Sequence, residues 1–187
     1  MRRLPKRLAF KLIMGPMAVA SCFALVACTG MSGQVQCNTQ CQARANYNQG
    51  MNYYHRDTYD RAVRYFDEAV RLDPDYAQAH NARAWILYTA GYNEEALPSA
   101  ERAVSLAPGN PWHLGTKGHI LAAQGDWIDA LDAFEQGMAV GDSDWIRHYQ
   151  RNLRDHGYYD GSINGTYDTA TQAALEDCLK SACRLDQ

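Results

Sequence analysis

The first 56 residues of this 187-residue chain contain no Asp or Glu; the first acid is Asp57. The chain also lacks an apolar run long enough to cross a bilayer as a helix, which takes roughly 20 residues. The run Leu12–Ala27 has 16, and Gly15-Pro16 interrupts it. Six Cys are too few for a disulfide-dense mini-domain. No His-Glu-x-x-His, Gly-x-Ser-x-Gly or phosphate-cradling glycine loop occurs, so the common metalloprotease, hydrolase and nucleotide signatures are missing. The remaining composition is ordinary, with 47% hydrophobic and 21% charged residues. It excludes a disordered tail, a collagen-like chain and a multi-span membrane protein.

The acid-free start has its own logic. Arg2, Arg3, Lys6, Arg7 and Lys11 precede the short apolar run, and small residues end it. That order reads as a secretory signal peptide over 1–27. At its end, Leu25-Val26-Ala27-Cys28 resembles the lipobox of bacterial lipoproteins. The resemblance implies cleavage before Cys28, a thioether-linked diacylglycerol on its sulfur, and acylation (palmitate) of the new amine. Two or more acyl chains give stable anchoring. Thr29 stands where the family's inner-membrane retention signal would be Asp, which implies the outer membrane, facing the periplasm. Residues 28–42 are expected to form a linker.

Removing 1–27 discards five of the 18 basic residues and none of the 21 acids. Residues 28–187 therefore carry 13 against 21, a net charge of −8 with no basic run. Nucleic acid is a poor partner for such a surface.

An internal period organises the rest. Residues 43–76, 77–110 and 111–144 align as three 34-residue blocks without a gap. Position 20 is Ala62, Ala96 and Ala130; position 8 is Gly50, Ala84 and Gly118. Position 24 is Phe66, Ala100 and Phe134, and position 32 is Pro74, Pro108 and then Asp142. This pattern resembles the tetratricopeptide repeat. Small residues at 8 and 20 let two helices approach, larger ones at 11 and 24 fill the flanks, and Pro ends the second helix. Stacked pairs bury one continuous core and need a terminal cap. The expected fold is all-α: a three-repeat solenoid with a small helical C-terminal module over 145–187. Three departures stand out. Position 7, usually Leu, is Gln49, Arg83 and Lys117; Pro98 sits inside the second helix of repeat two; repeat three lacks the Pro.

The resemblance implies a concave groove lined by first-helix positions 2, 5, 9 and 12. Here these include Arg44, Tyr47, Met51, Tyr54, Gln78, Asn81, Trp85, Tyr88, Trp112 and His119. Exposed aromatics there suit a protein partner. The alternative is that a segment of the same chain fills the groove. The family's carboxylate clamp is not expected, because Tyr47 and Met51 replace its Lys and Asn.

The C-terminal stretch carries a second resemblance. Gln150, Leu153, Gly157-Tyr158-Tyr159-Asp160-Gly161, Asn164-Gly165, Thr171 and Ala174-Leu175 resemble the small three-helix peptidoglycan-binding domain. It implies contacts from Tyr158, Tyr159, Asp160, Asn164, Gly165 and Tyr167. Asn164 replaces the usual Asp, Asp168 a Gly, and Cys178-Leu179 a Phe-Gln pair. Helices are expected over Asp144–His156, as the solenoid cap, and from Thr169 or Thr171 to about Leu179.

Cys37, Cys41, Cys178 and Cys183 allow three connectivities in an oxidising compartment. Helices stacked about 10 Å apart separate the two ends, so Cys37–Cys41 and Cys178–Cys183 are the expected pairs, and a four-Cys metal site is not. The functional expectation is a non-enzymatic periplasmic scaffold, without cofactor or metal, that binds a protein in the groove and touches peptidoglycan. The alternative is a pilotin-like assembly lipoprotein of a secretion or pilus system, with the C-terminal module as a cap.

Overall fold

The computed structural model describes residues 31–185, with side chains from Asn38 onward. The signal peptide 1–27 and Cys28 lie outside the described residues. Eight helices follow one another, and no strand occurs among the described residues. They are α1 (Met31–Tyr54), α2 (Tyr59–Leu72), α3 (Ala77–Thr89), α4 (Asn93–Leu106), α5 (Pro111–Gln124), α6 (Trp127–Val140), α7 (Ser143–Asp155) and α8 (Thr169–Lys180). The hairpins α1/α2, α3/α4 and α5/α6 stack in order, α2 on α3 and α4 on α5.

Position 8 against position 24 explains the closeness within each hairpin. A Cβ on Gly50 would stand 2.6 Å from Phe66 Cε1, and one on Gly118 would stand 2.8 Å from Phe134 Cε2. In repeat two the pair is Ala84 and Ala100, both fully buried in one cluster. The crossing is thus closed in two ways, by Gly against a large Phe ring or by the smaller pair Ala with Ala.

The hairpin turns share one device. Gly91 and Gly125 adopt φ of 84° and 88°, and Asp57 holds the equivalent place at 54°. The next residue's N–H then reaches back into the helix: Tyr92 to Leu87 O, Asp126 to Leu121 O and Thr58 to Tyr53 O. This left-handed C-terminal stop satisfies carbonyls that the helix leaves open.

The departures from the repeat pattern find partners. Arg83 donates from Nε to Asp67 at 2.6 Å and from Nη1 to Ser99 Oγ at 2.6 Å, so its polar head ties α2 to α4 where Leu would pack. Helix α4 runs through Pro98 unbroken. Helix α6 stops at Val140, and Asp142 caps α7 by accepting from Trp145 N at 2.8 Å.

Helix α7 closes the stack with Trp145, Ile146, Tyr149 and Leu153, all buried. Trp145 fits a slot made by absent side chains: a Cβ on Gly137 would meet its ring at 2.6 Å. Helix α8 packs on α6 and α7. Asp168 starts it, accepting from Thr171 N and Thr171 Oγ1, both at 2.8 Å.

One boundary differs from expectation. The linker expected over 28–42 is helical from Met31 onward. Once α1 is nucleated against α2, each further residue adds a hydrogen bond at little cost. No Pro or Gly breaks the stretch from Gln34 to Gln49.

Candidate protein-docking groove

The first helices of the hairpins, with α7, carry a ladder of interlocked rings across the concave face. Trp85 Nε1 donates to Tyr54 Oη at 3.1 Å. Trp85 meets His119 edge-on with ring centroids 5.7 Å apart, and Tyr88 lies 6.1 Å from His119. His119 Nε2 and Tyr149 Oη are 3.2 Å apart, and Tyr149 reaches Trp145 at 4.5 Å.

Burial sorts the expected groove residues into two groups. Arg44, Gln78 and Trp112 are exposed, Trp112 by 45%; Met51, Tyr54, Asn81 and Trp85 are half-buried. Tyr47, Tyr88 and His119 are buried. Tyr47 packs on Phe66 and Tyr76, and burial pushes its hydroxyl pKa up to about 12. It is a core residue rather than a groove contact.

The accessible part centres on a recess of about 70 Å³ between α3, α5 and α7, lined by Asn81, Trp85, Trp112, Thr116, His148 and Tyr149 among others. Asn81 Oδ1 is buried there without a hydrogen-bond partner. Burial, with Arg151 nearby, holds the His148 pKa below the ordinary imidazole range. Sequence reasoning missed His148 and Tyr149 as groove residues. Their spacing marks a cap helix, and only the stacking of α7 beside α5 turns that helix into a groove wall.

The other end of the concave face is occupied by the chain itself. Residues 181–185 fold back from α8 with Ala182 at φ 53°. The Arg184 guanidinium lies over the Tyr88 ring, 5.7 Å from its centroid, and Nη2 donates to Tyr88 Oη at 3.4 Å. Leu185 is 2% exposed, and its carbonyl accepts from Asn152 Nδ2 at 2.7 Å. Cys178 and Cys183 are joined by a disulfide, Cα atoms 5.1 Å apart, which ties this strap to α8. No sequence periodicity marks Arg184 or Leu185.

The loop between α7 and α8 is built around Gln150, which is fully buried. Its Nε2, with two N–H donors to share among them, lies 3.1 Å from each of Asn164 Oδ1, Thr166 O and Thr171 Oγ1 and 3.4 Å from Tyr159 Oη. Its Oε1 accepts from Gly165 N at 2.9 Å. Gly165 has φ 76°, and a Cβ there would meet Ser143 O at 2.5 Å. Of the residues expected to touch peptidoglycan, Tyr159 and Gly165 are therefore buried in this network. Tyr158 and Tyr167 pack partly on the core, and Tyr167 Oη donates to Glu135 at 3.2 Å. Burial, reinforced by Glu135, raises the Tyr167 pKa. Asp160 and Asn164 are exposed.

Helix α1 carries Cys41 on its surface; the side chain of Cys37 lies outside the described residues. No cluster of His, Cys, Asp or Glu that could hold a metal occurs among the described residues. No described helix is long and apolar enough to cross a membrane.

Residues 43–111 match the tetratricopeptide repeat family. Over 95 residues, 50% of this chain, the sequence is 30% identical to a protein STIP1 homolog of Dictyostelium discoideum. Over 89 residues, 48% of the chain, it is 25% identical to Hsp70-Hsp90 organizing protein 3 of Arabidopsis thaliana. A TPR repeat-containing protein of Rhizobium etli is 27% identical over 92 residues, 49% of the chain. These matches span only 16%, 16% and 45% of the relatives' own lengths. The fold resembles the solved structure of a MamA RS-1 ArsTM double mutant, with a TM-score of 0.54 and 19% identity over 75% of this chain and 74% of that one. The architecture is thus a tetratricopeptide-type helical solenoid.

Proposed function

We propose that the protein is a lipid-anchored scaffold of the cell envelope whose concave face docks an extended segment of a protein partner. The observation that carries this reading is the recess beside Trp85 and Trp112, open to solvent and walled by three helices. Rigid aromatic rings around a small recess give a partner side chain large contact area at low entropy cost. The repeat match over 43–111 supports the same reading, and one relative is named as an organizing protein for Hsp70 and Hsp90.

The anchor rests on the sequence Leu25-Val26-Ala27-Cys28 and the outer-membrane location on Thr29. Labelled palmitate should enter the full chain and fail to enter Cys28→Ala. In-cell crosslinking followed by mass spectrometry should recover one dominant partner from the wild type, and lose it in Trp85→Ala/Trp112→Ala. A channel subunit of a secretion or pilus machine as that partner would make this an assembly lipoprotein.

In this reading the C-terminal module is first a cap, since Gln150 ties Tyr159, Asn164, Gly165 and Thr166 of its loop to α7. Peptidoglycan contact is a second reading, favoured by Asp160 and Asn164 on the surface of that loop. Sedimentation with purified murein sacculi, lost on Asp160→Ala, would support it. No sedimentation leaves the scaffold alone.

A further inference from the structure

The strap at 181–185 does more than tie down the end of α8. It places a cation over Tyr88, a groove position, and a buried aliphatic side chain next to it, and it pins a main-chain carbonyl on Asn152. Those three contacts are how a peptide ligand is held: a guanidinium on a ring face, an apolar anchor, and a backbone hydrogen bond. The strap does not fill its berth. A cavity of about 460 Å³ remains around it, bounded by Tyr88, His119, Ala122, Phe134, Leu179 and Arg184 among others. Asn93 Oδ1, also at this cavity, is buried without a hydrogen-bond partner.

We propose that Arg184-Leu185 is a tethered occupant of the groove, and that the docking partner presents the same pattern, a basic residue followed by an aliphatic one. This rests on the concave face being the docking surface, and it adds the chemistry of what docks. The pattern agrees with charge: residues 28–187 carry net −8, so a basic segment is drawn to the protein. A short tether gives the strap an effective concentration near millimolar. The partner therefore competes with a ligand already in place, and the empty space and the unpaired Asn93 oxygen supply what the strap does not use.

The test uses the chain's own segment as probe. A dye-labelled peptide of residues 181–187 carrying Cys183→Ser is titrated by fluorescence anisotropy into the full chain and into full-length Arg184→Ala/Leu185→Ala. The variant should bind it at least about tenfold more tightly than the wild type, as expected when a tethered competitor is removed. Adding Tyr88→Ala to the variant, or Arg184→Glu to the peptide, should abolish binding. Equal binding by wild type and variant, or none by either, overturns the proposal. If the double variant loses its helical circular dichroism, wild type reduced by a phosphine carries the test. The disulfide becomes two thiols, and the phosphine becomes its oxide with oxygen from water. The peptide should bind more tightly after reduction, when the loosened strap competes less. Equal binding in the two redox states, or binding absent in both, overturns the proposal. Loss of the partner crosslink at Trp112 would instead strike the docking surface itself, so the two failures are distinct.

Discussion

Gly118 and Phe134 share one volume: a Cβ on the glycine would stand 2.8 Å from Phe134 Cε2. Gly118→Ala should therefore cost about 1–3 kcal/mol through overpacking, and Phe134→Ala about 3–5 kcal/mol through the cavity it leaves. Together they recreate the Ala84/Ala100 pair of repeat two. The double variant should be more stable than the sum of the two losses by roughly 1–2 kcal/mol. Urea denaturation of the four proteins checks this. Additivity within about 0.5 kcal/mol would mean that the crossing is not volume-limited.

The loop around Gln150 gives a second expectation. Gln150→Ala removes one buried side chain and leaves Gly165 N and Thr171 Oγ1 without their Gln150 contacts. A loss of about 2–4 kcal/mol is expected, since each buried polar group left unpaired costs about 1–3 kcal/mol. Amide exchange should accelerate over 158–168 and leave α3 unchanged. A neutral variant would free those loop residues from the structural role assigned above.

Backbone strain separates two left-handed sites. Ala182 holds φ 53° despite its side chain, so Ala182→Gly should stabilise by up to about 1 kcal/mol. Gly91 has φ 84°, and no atom lies within 4 Å of the place a Cβ would take. Gly91→Ala should cost about 1 kcal/mol from conformation alone. Thermal melts of both variants check the opposite signs.

Acid should weaken the fold in a definite window. Burial is the largest cause holding His80, His113 and His148 below the ordinary 6.5. His113 Nδ1 lies 3.2 Å from Ala103 O, a carbonyl that can only accept, so the neutral ring keeps its proton there. The unfolded chain takes up protons near 6.5 while the folded one resists. Stability is therefore full above that value and falls as pH drops below it. The urea midpoint should decline between pH 7.5 and 5.5. His113→Gln, which still offers an N–H to Ala103, should flatten that decline.

Much of the fold was legible because repeats state their own spacing. Positions 8, 20 and 24 named the helix crossings, and Thr169, one of the two expected starts, is where α8 begins. The groove was legible only in part. A position on the concave face of a repeat says nothing about what lies opposite, so Tyr88 and His119 read as open when the strap covers that end. Tyr47 read as a contact because position 5 is a surface position only where no Tyr76 packs on it. Arg83 read as a departure because its partners, Asp67 and Ser99, come from two other helices. The glycines and tyrosines of 157–167 matched a binding motif, but a motif does not show that Gln150, seven residues before Gly157, draws Tyr159 and Gly165 into the interior.

Site-specific photocrosslinking in cells tests the docking claim most directly. A photoreactive aromatic residue, which keeps a ring at the rim of the recess, replaces Trp112 on the concave face in one strain, and in another it replaces Ile128, which is 64% exposed on α6. A docking groove predicts one adduct of defined mass from position 112, absent from position 128 and lost when Trp85→Ala is added. No adduct at 112, or the same adduct from both positions, would contradict it.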